Sequence, residues 1–134
     1  MNKLTGNIVE INSSENLSLV MINIENEQLM AIMIGRPEKV SYLRKGSKIE
    51  LLFNESEVSI GKNINGQISM NNQLPCTIDT MVAAEIFTRV VLQFKNYQLS
   101  SLITTKSAKR LKLQNGDKVI ALIKTNEIFL KEPD

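Results

Sequence analysis

Apolar and polar residues alternate along this chain in short runs, and the same set of runs comes twice. Gly6 to Ile11 alternates and stops at Asn12-Ser13-Ser14, and Leu17 to Glu25 alternates again with apolar and β-branched side chains on one face. That period of two predicts a pair of half-buried strands. Gln28 to Ile34 reads as a third strand, Lys48 to Phe53 as a fourth and Glu57 to Ile60 as a fifth, with Arg36 to Leu43 long enough only for a small helix before the Lys45-Gly46 turn. The second set predicts strands at Thr77 to Met81, Ile86 to Phe94, Gln98 to Thr104, Lys118 to Lys124 and Glu127 to Leu130, with Ser107 to Leu111 as its short helix. Between the sets, Gly61 to Asn72 is polar, carries two glycines and reads as a connection.

The two sets superpose without a gap: Leu4 to Lys62 lies over Leu74 to Glu132 at a displacement of 70 positions. Of the 59 aligned positions only 13 are identical, including Ile8/Ile78, Val20/Val90, Leu43/Leu113, Gly46/Gly116 and Glu57/Glu127. Many others exchange one apolar residue for another, as in Leu17/Phe87, Ile24/Phe94 and Phe53/Ile123, which conserves buried volume while identity drifts. The pattern is a duplication. It predicts an all-β chain of two tandem OB-like five-stranded barrels, each with a short helix between its third and fourth strands, one over residues 1–62 and one over 63–134. Units this small bury only about 60% of their unfolded surface, so packing between copies or between chains is an expected source of stability.

Composition narrows the functional classes. With 43% hydrophobic and 22% charged residues and no apolar run near 20 residues, no membrane-spanning helix is expected. The amino-terminal stretch has no apolar core of the secretory type, and Cys76 is the lone cysteine, so a reducing cytoplasm is the expected compartment. The chain has no histidine and no metal-ligand spacing, and Cys76 has no base to activate it, which argues against an enzyme. Scattered carboxylates such as Glu25/Glu27 and Glu55/Glu57 are spaced like solvated strand faces. Cys76 and Met21, Met30 and Met33 are expected to pack.

One segment carries candidate chemistry. Thr104-Thr105-Lys106-Ser107-Ala108-Lys109 spans the end of a strand and the start of a helix, where unpaired amides, hydroxyls and ammonium groups together can hold a small oxyanion. Thr and Ser at a helix start also serve as ordinary caps, and the segment alone is compatible with either role. Lys106, Lys109, Arg110 and Lys112 admit a nucleic-acid reading, but aromatics are only 4% of the chain and stacking platforms are scarce, so a solvated helix face accounts for them.

Ser69-Met70-Asn71-Asn72-Gln73-Leu74-Pro75-Cys76 resembles the Ser-Ala-Arg-Asn-Gln-Leu-x-Gly opening of the Mop, or molbindin, domains of the transport-associated OB (TOBE) family. The resemblance continues through Leu102 to Ala108, Leu113-x-x-Gly116-Asp117-x-Val119 and Ala121-Leu122-Ile123-Lys124. Covering both copies, it is similar to a tandem Mop module of the kind found in molybdate-binding proteins, in molybdate-responsive regulators and, as single or paired units, in transporter ATPases.

The resemblance implies a binding protein without cofactor whose ligand is molybdate or tungstate. It implies oxyanion ligands at Ser69, Asn71, Thr104, Ser107 and Lys124, with Met70, Thr105, Lys106 and Ala108 as additional candidates. It further implies a homodimer in which the opening motif of one subunit meets Thr104, Ser107 and Lys124 of its neighbour, with DNA involved only through a longer parent and no membrane partner. Two departures matter. Asn71 stands where the motif has arginine, removing one positive charge and its bidentate fork. In the first copy, Ile34, Pro37 and Asn54 replace Thr104, Ser107 and Lys124, and the opening is cut to Met1-Asn2-Lys3-Leu4. The first copy is thus expected to be structural. A molybdate or tungstate module for storage or effector sensing is the leading expectation, and a structural or dimerising module of a regulator or transporter ATPase with a decayed site is the alternative.

Overall fold

Ten strands form two five-stranded antiparallel sheets in the computed structural model, which describes residues 1–134. The first copy contributes β1 (Asn2–Ser14), β2 (Leu17–Ile24), β3 (Glu27–Ile34), β4 (Lys48–Phe53) and β5 (Ser59–Gly61). The second contributes β6 (Asn72–Ala83), β7 (Phe87–Phe94), β8 (Tyr97–Thr104), β9 (Lys118–Ile123) and β10 (Phe129–Lys131), with helix α1 (Thr105–Arg110) between β8 and β9. The all-β expectation holds, with two sheets. The long strands begin earlier than the apolar pattern indicates: β1 starts at Asn2 and β6 at Asn72, drawing the start of each copy into its sheet.

The fifth strands change places. The first sheet runs β10-β4-β1-β2-β3 and the second β5-β9-β6-β7-β8, so each is completed by the last strand of the other copy. Phe129 pairs with Leu52 and Ser59 with Leu122. The boundary between residues 62 and 63 therefore falls just after a strand whose hydrogen bonds lie in the other copy's sheet. A 3-10 turn precedes each exchanged strand, Glu55–Glu57 before β5 and Thr125–Glu127 before β10, where the sequence pattern had placed the first residues of strand.

The helix expected in the first copy does not form; residues 35–47 run as successive turns. Gly35 sits at φ +134°, outside helical space, and Pro37 disfavours the helical region for Arg36 before it. What remains is a single turn in which the Lys39 and Val40 amides both donate to the Arg36 carbonyl, at 2.9 and 3.0 Å. In the second copy Thr104 caps a real helix, which starts at Thr105 rather than at Ser107.

Apolar side chains of both copies merge into one core that includes Leu4, Ile22, Phe53, Leu74, Leu92, Phe94 and Ile123. Each fully buried aliphatic or aromatic side chain contributes about 1.5–3 kcal/mol relative to exposure. Two asparagines clasp the copies together. Asn2 donates to the Ser100 carbonyl (2.9 Å) and accepts from its amide (2.8 Å); Asn72 does the same to Met30, at 2.9 and 2.7 Å. The pairs obey the displacement of 70 at both ends, since Asn2 maps onto Asn72 and Met30 onto Ser100. Matching β-bulges lie between Ile8 and Glu10 and between Ile78 and Thr80. There the amides of Gly46 and Gly116, both at φ +90°, donate to the Ile8 and Ile78 carbonyls at 2.7 Å.

Candidate functional site

The pairing of β6 with β9 brings part of the expected ligand set together. A cavity of about 190 Å³ is lined by Ser69, Met70, Asn71, Lys124, Thr125 and Asn126. Three of the five oxyanion candidates meet here: Ser69 and Asn71 just before β6, and Lys124 just after β9. Register explains it, because Asn72 pairs with Ile123 and the residues on either side of that pair diverge around one hollow. The Gln73 side chain donates to the Met70 carbonyl at 2.8 Å and steadies the bend of the opening segment. The volume is several times that of a liquid water molecule, about 30 Å³, so a tetrahedral anion fits with some of its hydration.

Lys124 supplies the formal positive charge of this cavity, and no carboxylate lines it. Lys124 makes none of the chain's ion pairs and is exposed, leaving its ammonium available. Thr125 and Asn126, the first residues of the 3-10 turn, add a hydroxyl and an amide that the sequence pattern did not single out. They were legible only as the residues following the lysine.

Thr104 and Ser107 lie outside that cavity. The Thr104 hydroxyl accepts from the Ser107 amide at 3.1 Å and donates to the Ser107 hydroxyl at 2.9 Å, so within one chain this segment is a helix cap made of hydroxyls on an exposed strand end. Within one chain Lys124 therefore stands with Ser69 and Asn71, while Thr104 and Ser107 lie apart from it. The cause is the β6–β9 register, which fixes Lys124 beside the opening motif.

The additional candidates divide. Met70 lines the cavity. Thr105 is buried, with its hydroxyl bonded to the Ala84 carbonyl at 2.7 Å and to the Thr88 hydroxyl at 2.8 Å, and its amide bonded to the Ile86 carbonyl at 2.8 Å. Ala108 is buried in the core, whereas Lys106 is exposed beside the cap. Thr105 thus holds the junction in place, with its hydroxyl and its amide both already paired.

Elsewhere, burial pushes the Cys76 thiol up to about 12, so it stays protonated and packs, as expected. The first copy has Gly6 at this position, where a Cβ would lie 2.5 Å from the Asn23 carbonyl oxygen. The largest cavity, about 600 Å³, is an open groove along Thr77, Gln93, Lys95 and Lys118 that contains no expected oxyanion ligand. No helix is long and apolar enough to cross a membrane.

Residues 68–130 match the family model of the TOBE domain. The molybdenum import ATP-binding protein ModC of Brucella abortus is 32% identical over 83 residues, covering 61% of this chain and 23% of ModC. ModC of Brucella suis matches to the same extent, so the chain spans under a quarter of the length of these curated relatives. A crystal structure of the cytoplasmic molybdate-binding protein ModG, with molybdate bound, aligns with a TM-score of 0.92 at 20% identity, over 98% of this chain and 96% of that one. The OB-like fold is thus shared across the whole tandem. A molybdate-binding protein from Sporomusa ovata aligns over 43% of this chain and 87% of its own at 36% identity, with a TM-score of 0.43.

Proposed function

Since residues 68–130 belong to the TOBE domain family, we propose that this chain binds a tetrahedral dianion, molybdate or tungstate, without catalysing a reaction on it. The observation that carries the reading is the convergence of Ser69, Asn71 and Lys124 on one small cavity whose lining has an unpaired ammonium and no carboxylate. Hydroxyl and amide donors fix a tetrahedral oxyanion by its edges, and the ammonium adds one charge-assisted bond of the stronger kind. The ModG and ModC relatives are named for molybdate and molybdenum, which supports the choice of ligand.

On this reading residues 63–134 form the binding half and 1–62 the supporting half. The Thr104–Ser107 hydroxyls, outside the cavity of their own chain, reach the ligand bound by a second copy, so that a homodimer holds two equivalent sites. Ligand then stabilises the assembly by mass action, which suits either intracellular storage or effector sensing. Asn71 favours a second reading, a dimerising module of a regulator or transporter ATPase whose site has decayed, because the arginine fork is lost.

Equilibrium dialysis or titration calorimetry with molybdate, tungstate, sulfate and phosphate separates the two. Saturable binding of molybdate or tungstate is expected; its absence from the folded chain leaves the structural module.

A further inference from the structure

A second cavity of about 190 Å³ adjoins the first, lined by Ser56, Glu57, Ser59, Met70, Leu122, Lys124 and Glu127. Met70 and Lys124 form the wall common to both. Glu57 and Glu127 occupy equivalent places in the two copies, each ending the 3-10 turn ahead of an exchanged strand. Strand exchange lays Ser59 against Leu122 and so carries Glu57 of the first copy to the lysine of the second. Neither carboxylate makes an ion pair or a side-chain hydrogen bond, whereas Glu27, Glu38, Glu50 and Glu55 each pair with a lysine or arginine. Two carboxylates free of ion pairs thus line a cavity that shares Lys124 with the anion cavity.

We propose that Glu57 and Glu127 act as a charge filter on the oxyanion site: their field opposes a bound anion in proportion to its charge and keeps dianion binding weak enough for release. The inference rests on the oxyanion reading above. Carboxylates that positioned the lysine would bond to it, and these do not. Removing them lowers the repulsion, and because Coulomb energy scales with ligand charge, a dianion gains twice as much on a logarithmic scale as a monoanion of the same shape. Through Glu57 the first copy, which lacks the donors of the second, thereby contributes to the affinity of the second copy's site.

The test is calorimetry of the full chain with molybdate and with perrhenate, a tetrahedral monoanion, on wild type, Glu57→Gln, the Glu57→Gln/Glu127→Gln double variant and the Glu57→Asp/Glu127→Asp double variant. At low salt the double Gln variant is expected to bind molybdate about three- to tenfold more tightly, with a clearly smaller gain for perrhenate; the gain shrinks at about 1 M salt, where the Debye length is about 3 Å. The Asp pair keeps the charges and the wild-type affinity. Should the double Gln variant misfold, Glu57→Gln alone, at an exposed position, gives a smaller gain of the same kind. Unchanged or weaker molybdate binding overturns the filter, and so does an equal gain for both anions, which marks altered packing. If wild type binds neither anion, the proposed function falls; the filter then stands only if the Gln variants acquire molybdate binding, and falls if they do not.

Discussion

Residues 34–37 and 104–107 occupy the same place in two copies of one design and do different work. In the second copy Thr104 caps a helix and presents two hydroxyls. In the first, Ile34 is 76% exposed, Gly35 takes a left-handed φ and Pro37 replaces the serine, so there is neither helix nor donor. Phe129, 57% exposed on the exchanged strand β10, adjoins Ile32 and Ile34 and makes that end of the first sheet apolar, where the equivalent positions of the second copy's sheet are Ser59 and Thr104. Duplication supplied two scaffolds. On the proposed reading, a handful of differences at one junction separates a supporting copy from a binding one, while the shared core is kept.

The sharpest way to break this comparison is to remove the ammonium that only the second copy has. Lys124→Ala is expected to weaken molybdate binding by about 2–5 kcal/mol in calorimetry if the contact is desolvated and charge-assisted. Equal affinity moves the site elsewhere. Next are the clasps, which the copies share. Asn2→Leu and Asn72→Leu should each destabilise the fold by about 2–4 kcal/mol in urea denaturation, because each leaves a backbone amide and carbonyl of the facing strand unpaired. Binding should suffer further from Asn72→Leu, which lies beside Asn71, than from Asn2→Leu.

A smaller effect is expected at the junction itself. Thr104→Val should cost about 1 kcal/mol of stability through loss of the cap, whereas Ile34→Thr should leave stability near wild type, having no helix to cap. The smallest concerns acid. The amide of Gln114 and the ammonium of Lys62 hold Asp117 below the usual carboxylate range. A depressed pKa contributes stability that is present above the unfolded-state value, about 3.9, and is lost as pH falls through the folded one. The first copy has Ser47 there, so Asp117→Asn should flatten the acid limb of the stability curve, and amide exchange near pH 3 should loosen the second copy's turn before the first's.

Strands were legible in the sequence because alternation reports which face is buried. It does not report which neighbour a strand bonds to, and so the exchange of β5 and β10 left no trace: their apolar positions are the same in either sheet. The missing helix of the first copy was written in Gly35 and Pro37, two breakers inside a segment otherwise short enough to be ambiguous. The candidate ligands were nameable from the opening motif and from the hydroxyl-bearing junction. Their grouping was not, since the β6–β9 register, a tertiary pairing, decides that Lys124 stands with Ser69. Asn72 reads in sequence as one more polar residue ahead of a strand, and only the facing Met30 backbone reveals its purpose.

The interchange of β5 and β10 also has a bearing on how the chain is made. The edge of β4 stays open until residues 129–131 have left the ribosome, so the first-synthesised sheet waits for a strand of the second copy. Closing it spans the 75 residues, 54–128, between β4 and β10, a loop whose entropic cost makes late, slow closure the natural order of events. An uncovered strand edge is a template for pairing with another chain. The arrangement that binds two halves into one body thus leaves the β4 edge open to intermolecular pairing while the second copy is being made.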